Sequence, residues 1–167
     1  QMFNRVDAWV QTIQKESTAY AKEKKAHDII CEYVEYEEGT YDQTAYSAVM
    51  QKKTVCAGYA KLYSMLTNAA GLETVSVTSA THGWNRTKLG NQWYNVDLTW
   101  DDGTPISYQF FNKSDATMEK YDGSSRESHT QNHYYDGVAP GCESDYGASV
   151  TVVDAEQIHA DTATVVL

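Results

Sequence analysis

Apolar residues recur at three- and four-residue steps through the start of the chain: Phe3, Val6, Val10, Ile13, Tyr20, Ile30 and Val34. That spacing lines one stripe of an α-helix and predicts helix over residues 3 to about 36. Lys24 interrupts the seam, which allows two helices with a break near residues 17–25. Gly39, followed by Tyr41 and Asp42, opens a loop, and residues 45–50 suit a short helical turn. Over residues 56–70 the period is helical again, with Leu62, Leu66 and Ala69 inward and Gly71 as the C-terminal stop.

The period then changes. Residues 72–80 are rich in Val and Thr, with Val75 and Val77 alternating as in a strand. Residues 84–89 and 92–99 form two more predicted strands, joined through Gly90-Asn91 as a hairpin. Residues 108–112 are expected to add a strand, and residues 115–121 a short helix capped by Ser114 or Asp115. Residues 122–147, rich in Gly, Ser, Asp and Tyr, read as irregular loop. The last twenty residues suit one or two edge strands or the start of a further domain. Helices first and strands after predict an α+β fold, helices packed on an antiparallel sheet. One domain is expected over residues 1–148, with 149–167 as a C-terminal appendage.

Composition narrows the class. The 167 residues carry 13 Lys and Arg against 23 Asp and Glu, a net charge of −10. Such an acidic surface repels phosphate backbones and argues against generic nucleic-acid binding. With 41% hydrophobic residues and only two prolines, the chain has the material for a real core. No apolar run nears the roughly 20 residues that a membrane span needs. Gln1-Met2-Phe3-Asn4 lacks the basic and apolar regions of a signal peptide. A chain beginning at Gln is expected to be trimmed, with a signal or anchor removed.

Three cysteines, Cys31, Cys56 and Cys142, are too few and too widely spaced for a disulfide framework or a CxxC zinc site. Cys56 stands at the predicted start of a helix. The unpaired N–H groups and partial positive charge there stabilise a thiolate. The same N–H groups can receive an oxyanion, and Gly58 leaves an approaching substrate unobstructed. A cysteine before a helix is more often buried and inert, so its partners decide. His82 follows the first strand, and Asp97 lies in the second arm of the hairpin. A turn at Gly90-Asn91 brings both to one end of the sheet. There Asp97 can accept one ring N–H of His82 while the other nitrogen faces Cys56.

The runs Val55-Cys56-Ala57-Gly58-Tyr59-Ala60, His82-Gly83-Trp84-Asn85 and residues 93–102 resemble the bacterial transglutaminase-like (transglutaminase core) superfamily. The resemblance spans residues 46–102, continues more weakly through residues 111–115, and includes His27-Asp28 in the helical region before the core. Gly83 departs from the pattern, standing where a small residue such as Ala is common. The resemblance implies a papain-like fold and a Cys56–His82–Asp97 triad that attacks a glutamine carboxamide or peptide carbonyl. A thioester forms, and water or an amine resolves it. The family also holds catalytically silent interaction modules, so such a module at the cell surface is the alternative.

Other residues are weighed beside these. Tyr59, Trp84 and Trp100 surround the motifs and are candidates for a substrate groove, although strand aromatics are usually core. Tyr46 and Gln51 are candidates for the second oxyanion donor. His129 and His133 have the spacing of a helical metal pair, but their Ser, Gln and Asn neighbours favour a loop, so no metal or other cofactor is expected. Cys31 and Cys142 are two separate thiols or one bridge. The partner is expected to be a protein or peptide, with cell-wall peptide one option. By analogy with the family it resembles, the chain, with its acidic surface and 13 tyrosines, is expected to be an extracellular or cell-surface module.

Overall fold

A computed structural model describes residues 1–122, 129–132 and 137–147. The helical opening is two helices, α1 (Met2–Gln14) and α2 (Ala19–Tyr33). The break falls at residues 15–18, where Thr18 caps α2 by accepting the Ala21 amide on its hydroxyl at 3.1 Å. Val6 and Ile13 are buried as the periodicity requires, whereas Phe3 is 73% exposed. Two short strands, β1 (Glu35–Tyr36) and β2 (Lys53–Thr54), pair in parallel. Between them the expected helical turn is a π-helical one over Ser47–Gln51, closed by Lys52 at a φ of 61°. This ribbon delivers the chain into α3 (Cys56–Ala69).

The sheet is antiparallel throughout, in the order β3 (Glu73–Thr78), β4 (Gly83–Leu89), β5 (Gln92–Val96) and β6 (Phe111–Lys113). Leu89 pairs with Gln92 across the two-residue turn, and Gly90 supplies its positive φ of 61°. The strand expected to reach residue 99 stops at Val96. Asp97 turns its side chain back onto the amides of Thr99 and Trp100 and so caps a short helix, α4 (Leu98–Asp101). The last described helix, α5 (Asp115–Asp122), is capped by Ser114, whose hydroxyl accepts the Thr117 amide at 3.1 Å. The edge strands expected over residues 149–167 lie outside the described residues.

Both faces of the sheet are covered. One lies on α3 and the helical layer, in a core that includes Ile13, Ile30, Leu62, Tyr63, Leu66 and Val96. Each such side chain contributes about 1.5–3 kcal/mol on burial. The side-chain amide of Asn85 on this face donates to the Ala60 carbonyl at 3.0 Å and to the Ser64 hydroxyl at 2.9 Å. On the other face Val77 and Trp84 pack with Phe110, Met118 and Ala139 in a smaller core. No described helix is long and apolar enough to cross a membrane.

Candidate active site

Cys56 is the first residue of α3, preceded by Val55 in extended conformation. Valine has no side-chain oxygen to cap the helix. The amides of Gly58 and Tyr59 turn back to the Val55 carbonyl at 2.9 and 3.3 Å. Those of Cys56 and Ala57 lie ahead of them, at the positive open end. The thiol is partly exposed and in no disulfide. Gly58 serves packing rather than substrate access: a Cβ there would lie 1.7 Å from the Thr54 hydroxyl oxygen. Thr54 is itself buried and donates to the Asp42 carbonyl, holding the loop before the π turn against α3.

His82 is set by its own turn. Ser79 donates its amide to the His82 carbonyl at 2.9 Å, and its hydroxyl accepts the His82 amide at 3.2 Å. Because Asn85 pairs with Val96, one more step of that register sets Asp97 across from Trp84. His82 is two residues before Trp84 on the same face, a diagonal neighbour of Asp97. His82 Nε2 lies 2.6 Å from Asp97 Oδ2, both side chains buried, and the ring stacks on Trp84 with centroids 6.1 Å apart.

Asp97 is pinned on both oxygens. Oδ1 accepts the amides of Thr99 at 2.9 Å and Trp100 at 3.3 Å. Oδ2 accepts from His82 and also from His129 Nε2 at 2.9 Å. Burial pushes this carboxyl up, but the charge of His82 and the hydrogen bonds from both histidines outweigh it and hold the value at about 2. A carboxylate at Oδ2 places the proton on His82 Nε2, which leaves Nδ1 as the nitrogen able to take another.

His129 is the site residue that sequence reasoning missed. Its spacing to His133 suggests only half of a metal pair, and His133 lies outside the described residues. Nothing in its Ser- and Gln-rich surroundings signals a contact with a carboxylate 32 positions earlier. His82, Asp97 and His129 are a group whose ligand atoms all lie within 4.8 Å. Contacts of 2.6 and 2.9 Å to one carboxylate oxygen are those of N–H···O bonds. Ligands ~2.0–2.2 Å from a shared zinc ion would stand further apart.

A second polar layer backs the first. Asp101, one turn along α4, faces His27 of α2, with His27 Nε2 3.2 Å from Asp101 Oδ2. Asp101 Oδ1 accepts the Phe110 amide at 3.0 Å. The first-third motif His27-Asp28 is therefore tied to the helix that Asp97 caps.

The remaining candidates lie as follows. Tyr59 is buried in the main core and its hydroxyl donates to the Asp102 carboxylate. Trp84 is equally closed off, its indole N–H on Asn95 Oδ1 at 2.9 Å. Trp100 keeps partial exposure, edge-on to His129 at 4.7 Å and tilted over His82 at 5.9 Å. Tyr46 is half exposed just before the π turn and Gln51 is exposed at its end. Cys31 and Cys142 are separate buried thiols, both pushed up by burial, Cys142 to about 12.

The model of the transglutaminase-like superfamily matches residues 7–98, a span that holds Cys56, His82 and Asp97. No curated protein matches the chain. One similar solved structure, described as a TGase, is 16% identical at a TM-score of 0.49, over 58% of this chain and 32% of that one. Another, a "putative cysteine protease" from Cytophaga hutchinsonii, is 19% identical at 0.46, over 59% of this chain and 39% of that one. The match to this chain thus takes in well under half the length of either structure. With the family model covering more than half of its residues, the chain belongs to the transglutaminase-like superfamily.

Proposed function

We propose that this chain is a thiol enzyme that cleaves or transfers acyl groups at amide carbonyls. The observation that carries the reading is the 2.6 Å bond from His82 to the buried Asp97 carboxylate, in a domain whose family model also spans a cysteine at a helix head. The Cys56 thiolate attacks the carbonyl carbon as His82 Nδ1 takes the thiol proton. His82 then passes that proton to the leaving nitrogen, and a thioester remains on Cys56. Water or an amine, deprotonated by His82, attacks the thioester and regenerates the thiol.

The tetrahedral oxyanion is received by the Cys56 amide and a donor from upstream, for which Tyr46 is favoured over Gln51. The Asp42 carbonyl accepts the Val55 amide at 3.1 Å, so the loop leading to Tyr46 is bonded directly to the residue before Cys56. Tyr41, Thr44 and Tyr46 line an open hollow of about 330 Å³ on that loop. Trp100, the one of the three candidate aromatics with exposed surface, is the one left to meet a substrate.

The test is the rate of Cys56 alkylation by iodoacetamide against pH, in wild type and His82→Ala, with peptide mapping of all three cysteines. Fast reaction of Cys56 alone, well below the ordinary thiol value near 8.5 and lost in the variant, supports the pair. Glutamine peptides with and without amine would then separate transamidation from hydrolysis. A Cys56 that reacts no faster than an ordinary thiol, with or without His82, leaves the silent binding module instead.

A further inference from the structure

We propose that His129 is a positioning residue of this site, restraining the Asp97 carboxylate and moderating its pull on His82; the inference rests on the thiol-enzyme reading. His129 and His82 donate to the same oxygen of Asp97, at 2.9 and 2.6 Å, while two α4 amides occupy the other. Four donors fix both the position and the rotation of one buried carboxylate.

The placement is built into the fold. Three positions after His129 stands Asn132, whose amide donates to the Thr78 carbonyl at 2.9 Å. The Asn132 side chain donates to Thr78 Oγ1 at 3.1 Å and to the Ser79 carbonyl at 3.0 Å. Ser79 is the residue that fixes the His82 backbone, so one turn anchors both histidines. The His129 ring, itself buried, is walled by Trp84, Trp100 and Phe110 at centroid distances of 5.1, 4.7 and 6.2 Å.

A hydrogen bond to a carboxylate stabilises its charge and makes it a weaker acceptor for its other partner. The second donor therefore lowers the basicity that Asp97 shows to His82, so that His82 gives up its proton more readily than it would if it had Oδ2 to itself. Other charged groups lie nearby among the described residues. Arg86, on the same sheet face, pairs with Asp115 at 2.8 Å, and Asp101 faces His27. Glu119 lines the open hollow beside His129.

The experiment follows the His82 imidazole by long-range proton–nitrogen NMR against pH, in wild type, His129→Phe, His129→Gln and Asn132→Ala. Phenylalanine keeps the ring packing and removes the donor; glutamine keeps a donor. His129→Phe is expected to raise the His82 value by about half a unit or more, and His129→Gln to restore most of it. Asn132→Ala should move it the same way by less. Turnover of an amide substrate by His129→Phe should fall about tenfold in kcat with little change in KM. An unshifted His82 titration in His129→Phe overturns the proposal, as does an equal shift in His129→Gln. Because the titration is read without turnover, it decides the role of His129 even where His82→Ala leaves Cys56 alkylation unchanged, a result that sinks only the thiol-enzyme reading.

Discussion

His27 and Asp101 face each other with both side chains wholly buried, Nε2 3.2 Å from Oδ2, and so tie α2 to the helix that carries the catalytic candidate at its cap. Burial opposes a charge on His27, but the bonds to Asp101 and Asp28 outweigh it and hold its value well above the usual one. Burial also pushes the Asp101 carboxyl up, but a carboxylate at each ring nitrogen, Asp101 at 3.2 Å and Asp28 at 3.1 Å, favours the proton on histidine. Replacing His27 by Leu leaves Asp101 without its counter-charge, and a loss of about 3 kcal/mol is expected. Since the folded-state value is raised, this stabilisation is fully present below about pH 6.5. It fades as pH rises through the folded value. Urea midpoints of wild type and His27→Leu should therefore converge on going alkaline; a gap that widens with pH would contradict the charged pair.

Glu23 gives the opposite lesson. It lies in the run Lys22-Glu23-Lys24-Lys25 yet is fully buried, accepting from Asn112 Nδ2 at 2.6 Å and Tyr63 at 3.3 Å. Burial raises its carboxyl to about 7 against the hydrogen bonds that pull it down. The folded chain thus holds this proton more tightly than the unfolded one, and stability falls as pH rises from about 4.5 through 7. Glu23→Gln should match wild type near pH 4 and exceed it by on the order of 2 kcal/mol at pH 8. Equal differences at the two pH values would refute the assignment.

Gly58→Ala ought to gain about 1 kcal/mol of helix propensity in an open helix. Here the new methyl would meet the Thr54 hydroxyl and the Thr44 carbonyl, at 1.7 and 3.0 Å. The expected outcome is a net loss of about 1–3 kcal/mol from overpacking, read as a lower melting temperature. The loop before the π turn should also become more susceptible to proteolysis. A variant as stable as wild type would show that this loop yields freely.

Asp97 has two tasks that substitution can separate. With its carboxyl held at about 2, its contribution to stability is present above the unfolded value near 3.8 and is lost only as pH falls through about 2. Any acid limb of activity above pH 4 must therefore come from another group. Asn caps a helix as well as Asp does, whereas Ala forfeits about 1 kcal/mol. Asp97→Asn should keep the melting temperature within a few degrees and lower amide turnover by about 10²–10⁴. Asp97→Ala should lose both. Full turnover in Asp97→Asn would remove Asp97 from the mechanism.

The helix at Cys56, the hairpin through Gly90-Asn91, and the convergence of His82 and Asp97 were legible in the chain because each rests on local physics. The 3.6-residue period sets a helix face, a two-residue turn sets register, and register sets which side chains share a face. The end of β5 was less legible. Asp97 could equally extend a strand or cap a helix, and the cap won because the carboxylate gains two backbone donors by turning.

Tertiary structure alone decided the rest. Glu23 and His27 sit in a polar run, and Asn112, Tyr63 and Asp101, brought from 40 to 89 positions away, help make their burial tolerable. Tyr59 and Trp84, read as groove candidates, are enclosed by layers contributed from elsewhere in the chain. His129 found its carboxylate through the anchoring of Asn132 on β3, a contact with no period and no motif. Sequence determined which candidate residues stand at element ends. Which buried polar groups meet, and so which charges can persist without water, depended on pairings across long stretches of chain that only the folded layers supply.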